Sequence, residues 1–261
     1  MPIIPFQQKN ISYNKYHKGP CILLLHGFLE TKEVWDAVAE QFENYTIIAP
    51  DLPGHGASDV IAAAHTMELM AEAINAILEH ENIEACFIYG HSMGGYVAQA
   101  FSRMFPQKVK ALGLLHSTLY ADSPEKKENR LREIELIKKG KQSLVVTGML
   151  PKIVASQNLP AVRQTVETIM ERAKGFKPEG IIATLMGMMQ RVEHQVVPVL
   201  PFHLVGSDAD QFIPIELYQK MADENPSIQY DCISGCGHTS FIEKPKIVIP
   251  IVKKFLHSAT K

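Results

Sequence analysis

The chain has 261 residues, 46% of them hydrophobic and 21% charged, with a formal net charge of −2. That is the balance of an ordinary globular protein, with enough chain for one large α/β domain. So small a net charge gives no global attraction to nucleic acid or anionic lipid, and no stretch is apolar for long enough to cross a bilayer. The N-terminus, Met1-Pro2-Ile3-Ile4-Pro5-Phe6, has neither a basic segment nor a long apolar one, so the chain reads as cytoplasmic, without a secretory signal. Cys21, Cys86, Cys232 and Cys236 lack the spacing of a zinc site and read as free thiols.

The first predicted elements are antiparallel strands over residues 3–7 and 11–16, with Lys9-Asn10 as turn material between them. Residues 21–25 form a continuous apolar run, the pattern of a strand buried on both faces of a parallel sheet. Similar runs recur at residues 45–49, 85–89, 111–115 and 202–205, with a weaker one at 228–233. Helical periodicity lies between them. Val34, Trp35, Val38, Ala39 and Phe42 share one helical face, and so do Met67, Met70, Ala71, Ile74, Ile77 and Leu78. Residues 93–105 form a third helix ended by Pro106, and residues 245–257 a last one, which Pro250 should kink. Strand alternating with helix predicts an α/β fold, a mostly parallel sheet with helices on both faces.

That rhythm breaks over residues 118–197, a stretch too long for a simple connection. Helical patterns at 123–141, 159–174 and 178–191 make it an inserted helical lid on a core of residues 1–117 and 198–261. Its methionines (Met149, Met170, Met186, Met188 and Met189) either line a pocket or fill the core between lid helices. The basic cluster Lys126, Lys127, Arg130 and Arg132 is interspersed with glutamates and reads as a solvated helix face.

Gly90-His91-Ser92-Met93-Gly94 fits G-x-S-x-G, with an apolar strand before it and a helix after it. A strand turning that sharply into a helix strains the serine backbone and exposes its hydroxyl, and the glycines keep side chains from colliding across the turn. With that context the chain resembles the α/β-hydrolase superfamily over nearly its whole length. His26-Gly27-Phe28 follows the first parallel strand, where that family places an oxyanion-hole loop. Asp51-Leu52-Pro53-Gly54-His55-Gly56-Ala57-Ser58 resembles its D-x-x-G-x-G-x-S loop. An acidic loop follows residues 202–205, and Gly235-Cys236-Gly237-His238 resembles the family's late histidine loop. The order Ser, Asp, His along the chain is that of this fold.

The resemblance implies Ser92 as nucleophile and His238 as its general base, with a carboxylate holding the imidazole. The backbone N–H groups of Phe28 and Met93 would receive the oxyanion. Asp208 and Asp210 compete for the place of the acid. Asp210 stands four residues before Pro214, which suits the first turn of the next helix, and that spacing matches the family and favours Asp210. Asp208 is then a loop residue making a local turn hydrogen bond. His26, His55 and His91 read as structural, while His116 either lines the pocket or packs near it.

Serine at the elbow disfavours haloalkane dehalogenases and epoxide hydrolases, which resemble this chain in layout but use Asp there. The expected reaction is hydrolysis of a small carboxylic ester or thioester through an acyl-enzyme on Ser92, with no cofactor and no metal. The expected partner is a small molecule with an apolar part, not nucleic acid. Two alternatives stay open: hydrolysis of a carbon–carbon bond in ring-fission products, and a non-catalytic small-molecule receptor on the same fold. The menaquinone-pathway lyases share several segments but place an Arg after the elbow glycines, where this chain has Tyr96.

Overall fold

A computed structural model describes residues 2–193 and 200–259. Eight strands form one sheet: β1 (Ile3–Phe6), β2 (Lys9–Tyr16), β3 (Cys21–Leu25), β4 (Thr46–Pro50), β5 (Cys86–His91), β6 (Val109–Leu115), β7 (Phe202–Ser207) and β8 (Ile228–Ile233). Their spatial order is β1-β2-β4-β3-β5-β6-β7-β8. The β1–β2 and β2–β4 pairs are antiparallel, and every pair from β4 to β8 is parallel. From β3 the chain winds first to β4 and then back past β3 to β5. That reversal opens a crevice beyond the carboxyl ends of β3 and β5, where open α/β sheets bind ligands.

The apolar runs become two-faced strands. Leu23, Leu25, Ile88, Leu112 and Leu204 join one core, and Ile22, Leu24, Phe87, Ala111 and Val205 the other. Alternate residues of a strand point to opposite faces, so a continuous apolar run serves two helical layers at once. The helices are α1 (Asp36–Ala39), α2 (Met67–His80), α3 (Met93–Met104), α4 (Pro124–Lys138), α5 (Gln142–Met149), α6 (Leu159–Lys174), α7 (Pro178–Gln190), α8 (Ile215–Glu224), α9 (Ser240–Glu243) and α10 (Pro245–Ser258). Helices α2, α3 and α8 pack into the first core, and Trp35, α1 and α10 into the second. Helix α10 runs on through Pro250. No helix among the described residues is long and apolar enough to cross a membrane.

The structure corrects the sequence expectation in the first hairpin and in the first helical stretch. The hairpin turns at Gln7-Gln8, not at Lys9-Asn10: Phe6 pairs with Lys9, and Gln7 and Gln8 have φ of 48° and 64°. Two positive-φ residues match the right-handed twist of the flanking strands, a demand met here without glycine. The amphipathic stretch around Val34–Phe42 is not one helix but a 3₁₀ turn (Lys32–Trp35) followed by the single turn of α1. Between β6 and β7 the chain makes α4 to α7, including α5 and a 3₁₀ turn (Leu150–Ile153) that periodicity did not single out. The expected end of this segment at Val197 lies outside the described residues.

Asp51 organises the loop after β4. It accepts from the Lys32 and Ala57 backbone N–H groups, both at 2.9 Å, and pairs with the buried Lys32 ammonium. A Cβ on Gly56 would overlap the Asp51 carboxylate, so only glycine fits there. Ser58 Oγ donates back to the Asp51 carbonyl at 2.7 Å. Lys32 and Asp51 are both essentially without solvent contact. Removing one member of such a pair leaves a buried charge unmatched, so Lys32→Met is expected to destabilise the fold by about 3–5 kcal/mol. Denaturant unfolding checks this, and a loss below about 1 kcal/mol would show that backbone N–H groups alone satisfy Asp51.

Candidate active site

Ser92 joins β5 to α3 with φ 49° and ψ −114°, a region side chains rarely occupy. Surrounding bonds hold it there. Its N–H donates to Leu115 O at 3.0 Å, and its carbonyl accepts from Ser117 Oγ at 2.8 Å and from Gly95 N at 2.9 Å. A Cβ on Gly90 would overlap the Gly94 carbonyl, and one on Gly94 would overlap the Leu25 carbonyl of β3. The glycine positions of the motif are therefore the points where α3 lies directly against β5 and β3.

His238 lies in the loop after β8, and its Nδ1 is 2.7 Å from Asp210 Oδ2. Asp210, in the loop after β7, also accepts from Tyr218 Oη at 2.6 Å and from the N–H groups of Phe212 and Ile213 at 2.8 and 3.1 Å. Burial alone would raise the Asp210 carboxyl. The neighbouring His238 imidazole, its hydrogen bond to Asp210 and the nearby His116 ring hold it far below the usual carboxylate range. Asp208 does not approach His238. It is exposed and binds Ser234 Oγ at 2.7 Å and Gly235 N at 2.6 Å, which ties down the start of the histidine loop.

Two further histidines meet this loop in opposite charge states. His91 Nε2 faces the His238 carbonyl at 2.9 Å, and its Nδ1 faces Glu30 Oε2 at 2.9 Å. Both partners are acceptors, so both nitrogens must donate, which describes an imidazolium. Burial would lower His91, but the Glu30 carboxylate raises it, and Glu30 is lowered in turn although burial opposes that. Glu30 Oε2 also takes the Gly27 N–H at 2.7 Å. One buried pair thus links the loop after β3, the elbow and the histidine loop. Sequence reasoning missed Glu30, because nothing local to Gly27-Phe28-Leu29-Glu30 signals a partner 61 residues away.

His116 is buried and does not border the cleft. The Ser240 N–H donates to its Nε2 at 3.2 Å, so the proton sits on Nδ1, 3.5 Å from Asp210 Oδ2. Burial lowers it to about 4, so it is neutral near pH 7. Donor atoms of His116, Asp210 and His238 lie within 4.8 Å of one another, a closeness that the Asp210–His238 hydrogen bond already explains.

After β3, His26 Nε2 accepts the Leu52 N–H at 2.9 Å while its Nδ1 meets the Gly27 carbonyl at 2.8 Å. His55 packs against both His26 and Phe28, with ring centroids 5.2 and 6.1 Å apart. Both histidines therefore shape the loop. The N–H groups of Phe28 and Met93 donate to no protein acceptor among the described backbone bonds outside helices and strands. Unpaired backbone donors are rare in folded proteins and point to a ligand or solvent acceptor.

Ser92 and His238 border one cleft of about 220 Å³. Phe28, Phe212 and Ile213 line it from the sheet side, and Met149, Ile153 and Met188 from the segment between β6 and β7. Met188 also belongs to the core and Met149 packs against it, as do Met170, Met186 and Met189 without bordering the cleft. Helix α4 corrects the solvated-face expectation in part. Lys127 and Arg132 are exposed, but Lys126, Asn129, Arg130 and Glu133 line the cleft.

The histidines set a pH dependence of stability. His116 titrates at about 4 in the fold against an ordinary 6.5. The folded state then binds fewer protons than the unfolded one across that window, so stability present above pH 6.5 is lost as pH falls toward 4. His65, also lowered to about 4 by burial, acts with the same sign, whereas the raised His91 acts oppositely. The decisive measurement is therefore a difference: unfolding free energy from about pH 7 to about pH 4.5 should fall less steeply in His116→Gln than in the wild type, by roughly 2–3 kcal/mol over the window. Equal slopes would show that His116 is not held neutral.

The family model of the α/β hydrolase fold matches residues 20–135. A thermophilic esterase from Thermogutta terrifontis, solved with malate bound, superposes with a TM-score of 0.91 at 29% identity, covering 97% of this chain and 95% of that one. Lipase LipV of Mycobacterium tuberculosis is 34% identical over 117 residues, 44% of this chain and 42% of its own. Lipase 1 of Psychrobacter immobilis is 25% identical over 237 residues, 86% of this chain and 73% of its own. The eight-stranded sheet, the strained serine between β5 and α3 and these matches agree, and the chain has the α/β-hydrolase fold.

Proposed function

We propose that this hydrolase cleaves small carboxylic esters or thioesters through an acyl-enzyme on Ser92, with His238 as base and Asp210 as the acid that orients it. One observation carries the reading: a serine held in strained backbone borders the same cleft as a histidine whose Nδ1 is fixed 2.7 Å from a buried, ionised carboxylate. Asp210 holds the Nδ1 proton, so Nε2 is free to take the proton of Ser92 Oγ as it attacks the acyl carbon. The N–H groups of Phe28 and Met93 receive the resulting oxyanion, aided by the positive end of α3. His238 returns the proton to the leaving alcohol or thiol, and then activates a water that frees the acid from Ser92.

Residues 118–197 serve as the lid, with α4 to α7 over the cleft. Met149, Ile153 and Met188 give it an apolar inner surface for the substrate's hydrocarbon part.

Two measurements test this. A fluorophosphonate should label the wild type and not Ser92→Ala, and turnover of short p-nitrophenyl esters should fall at least about a thousandfold in Ser92→Ala and in Asp210→Asn, while Asp208→Asn stays within about threefold. Labelling of the alanine variant, or a larger loss in Asp208→Asn than in Asp210→Asn, would overturn the assignment. In the lid, Met149→Ala should move the preferred acyl length of p-nitrophenyl esters upward by about one or two carbons, because a shorter wall enlarges the cleft. An unchanged chain-length profile with a lowered melting temperature would return Met149 to a packing role.

A further inference from the structure

We propose that Lys126 and Arg130 form an anion subsite in the wall of the Ser92 cleft, which selects esters carrying a carboxylate away from the scissile bond. The inference rests on the acyl-hydrolase reading of Ser92 and adds a substrate class to it. Positions 126 and 130 are one helical turn apart on α4, so both side chains face the same way, into the cleft that Ser92 and His238 border. Their neighbours 127 and 132 point to solvent.

The charges of this wall do not cancel. Asp122 is the carboxylate beneath it and is claimed twice, by Arg130 Nε at 2.6 Å and by Arg191 Nη1 at 2.6 Å. Arg130 turns Nε and, more weakly, Nη2 to Asp122, which leaves Nη1 without a partner among the described residues. The Lys126 backbone N–H donates to Ser123 Oγ, but its ammonium has no hydrogen bond or ion pair among the described residues. Glu133, on the same face, offsets part of this, and its burial favours the neutral form. Three cations against the carboxylates of Asp122 and Glu133 leave an excess of one positive charge. Tyr96, in the same lining, registers that field: burial would raise its phenol, yet Lys126, Arg191 and Arg130 bring it below its ordinary value. The Arg191 guanidinium also lies 3.7 Å from the centre of the Tyr96 ring.

An excess of one charge suits a monoanion. A partly buried guanidinium edge and an ammonium offer charge-assisted hydrogen bonds to a carboxylate, and a neutral ester leaves both without a partner. The apolar residues that line the same cleft, Met149, Ile153 and Phe212, would then hold a short hydrocarbon spacer between the carboxylate and the reacting carbonyl.

The test compares mono-p-nitrophenyl glutarate with its methyl ester, which has the same spacer but no charge. The wild type should show kcat/KM for the acid about tenfold or more above that for the methyl ester, the worth of one charge-assisted hydrogen bond. Lys126→Gln should lower that ratio about tenfold and Lys126→Glu should invert it, while Arg132→Gln, on the exposed face of α4, keeps the wild-type ratio. A wild-type ratio near one, or a ratio unmoved by Lys126→Glu, would overturn the subsite even if both esters are cleaved through Ser92. If neither ester is cleaved, the hydrolytic reading fails and the subsite is judged by calorimetry with monomethyl glutarate. Binding by the wild type that Lys126→Glu abolishes supports the subsite, and no binding by the wild type overturns it.

Discussion

The contact of α3 with the ends of β5 and β3 is the constraint on which the rest of the site depends. There is no room for a Cβ at Gly94 because the Leu25 carbonyl occupies that space, nor at Gly90 because the Gly94 carbonyl does. With two glycines pressed against backbone, the residue between them has little choice of φ and ψ, and Ser92 takes the strained pair. Strain of this kind persists only where several bonds over-determine it, and here Leu115, Ser117 and Gly95 each fix one atom of Ser92. The same approach puts the loop after β3 beside the elbow, so the N–H groups of Phe28 and Met93, which meet no backbone acceptor among the described residues outside helices and strands, belong to neighbouring strand ends.

Beside that contact, buried charges are matched by partners from other loops. His91 with Glu30 and Lys32 with Asp51 are buried ion pairs, each also anchored by backbone N–H groups. Their net worth for stability is small, since desolvation opposes the attraction, but a half-broken pair is strongly unfavourable. Such pairs therefore act as latches between loops distant in sequence. The neutral His116 has a different effect. It fills the space beside Asp210 without adding a permanent charge there, and His238 Nδ1 remains the nearer imidazole nitrogen, at 2.7 Å against 3.5 Å for His116.

The segment between β6 and β7 contributes a surface that the sheet could not. Its apolar residues and the two cations of α4 enter the cleft side by side, so the wall facing Ser92 is neither uniformly greasy nor uniformly polar. Arg191, after α7, reaches Asp122 and the carbonyl of Tyr120 at 2.6 and 2.7 Å, which fastens the end of this segment to its beginning.

The sequence by itself determined the strand–helix alternation, the serine elbow and the order of the loops. These are local properties: a five-residue apolar run, or two glycines around a serine, meets the same steric limits wherever it lies in a chain. It also singled out two carboxylates after β7 as candidates to meet the histidine. Only the tertiary structure shows which one does: the Asp210 carboxylate meets Tyr218 and His238, while Asp208, two residues earlier, faces the start of the histidine loop. The same limit explains the misses. The hairpin turn depended on register, and the roles of Glu30, Lys32 and His116 depended on partners tens of residues away. Lys126 and Arg130 looked like any charges on a solvated helix until the fold laid that helix face over the cleft. Which side of a helix meets water is set by what packs against it, and spacing along one chain segment does not contain that information.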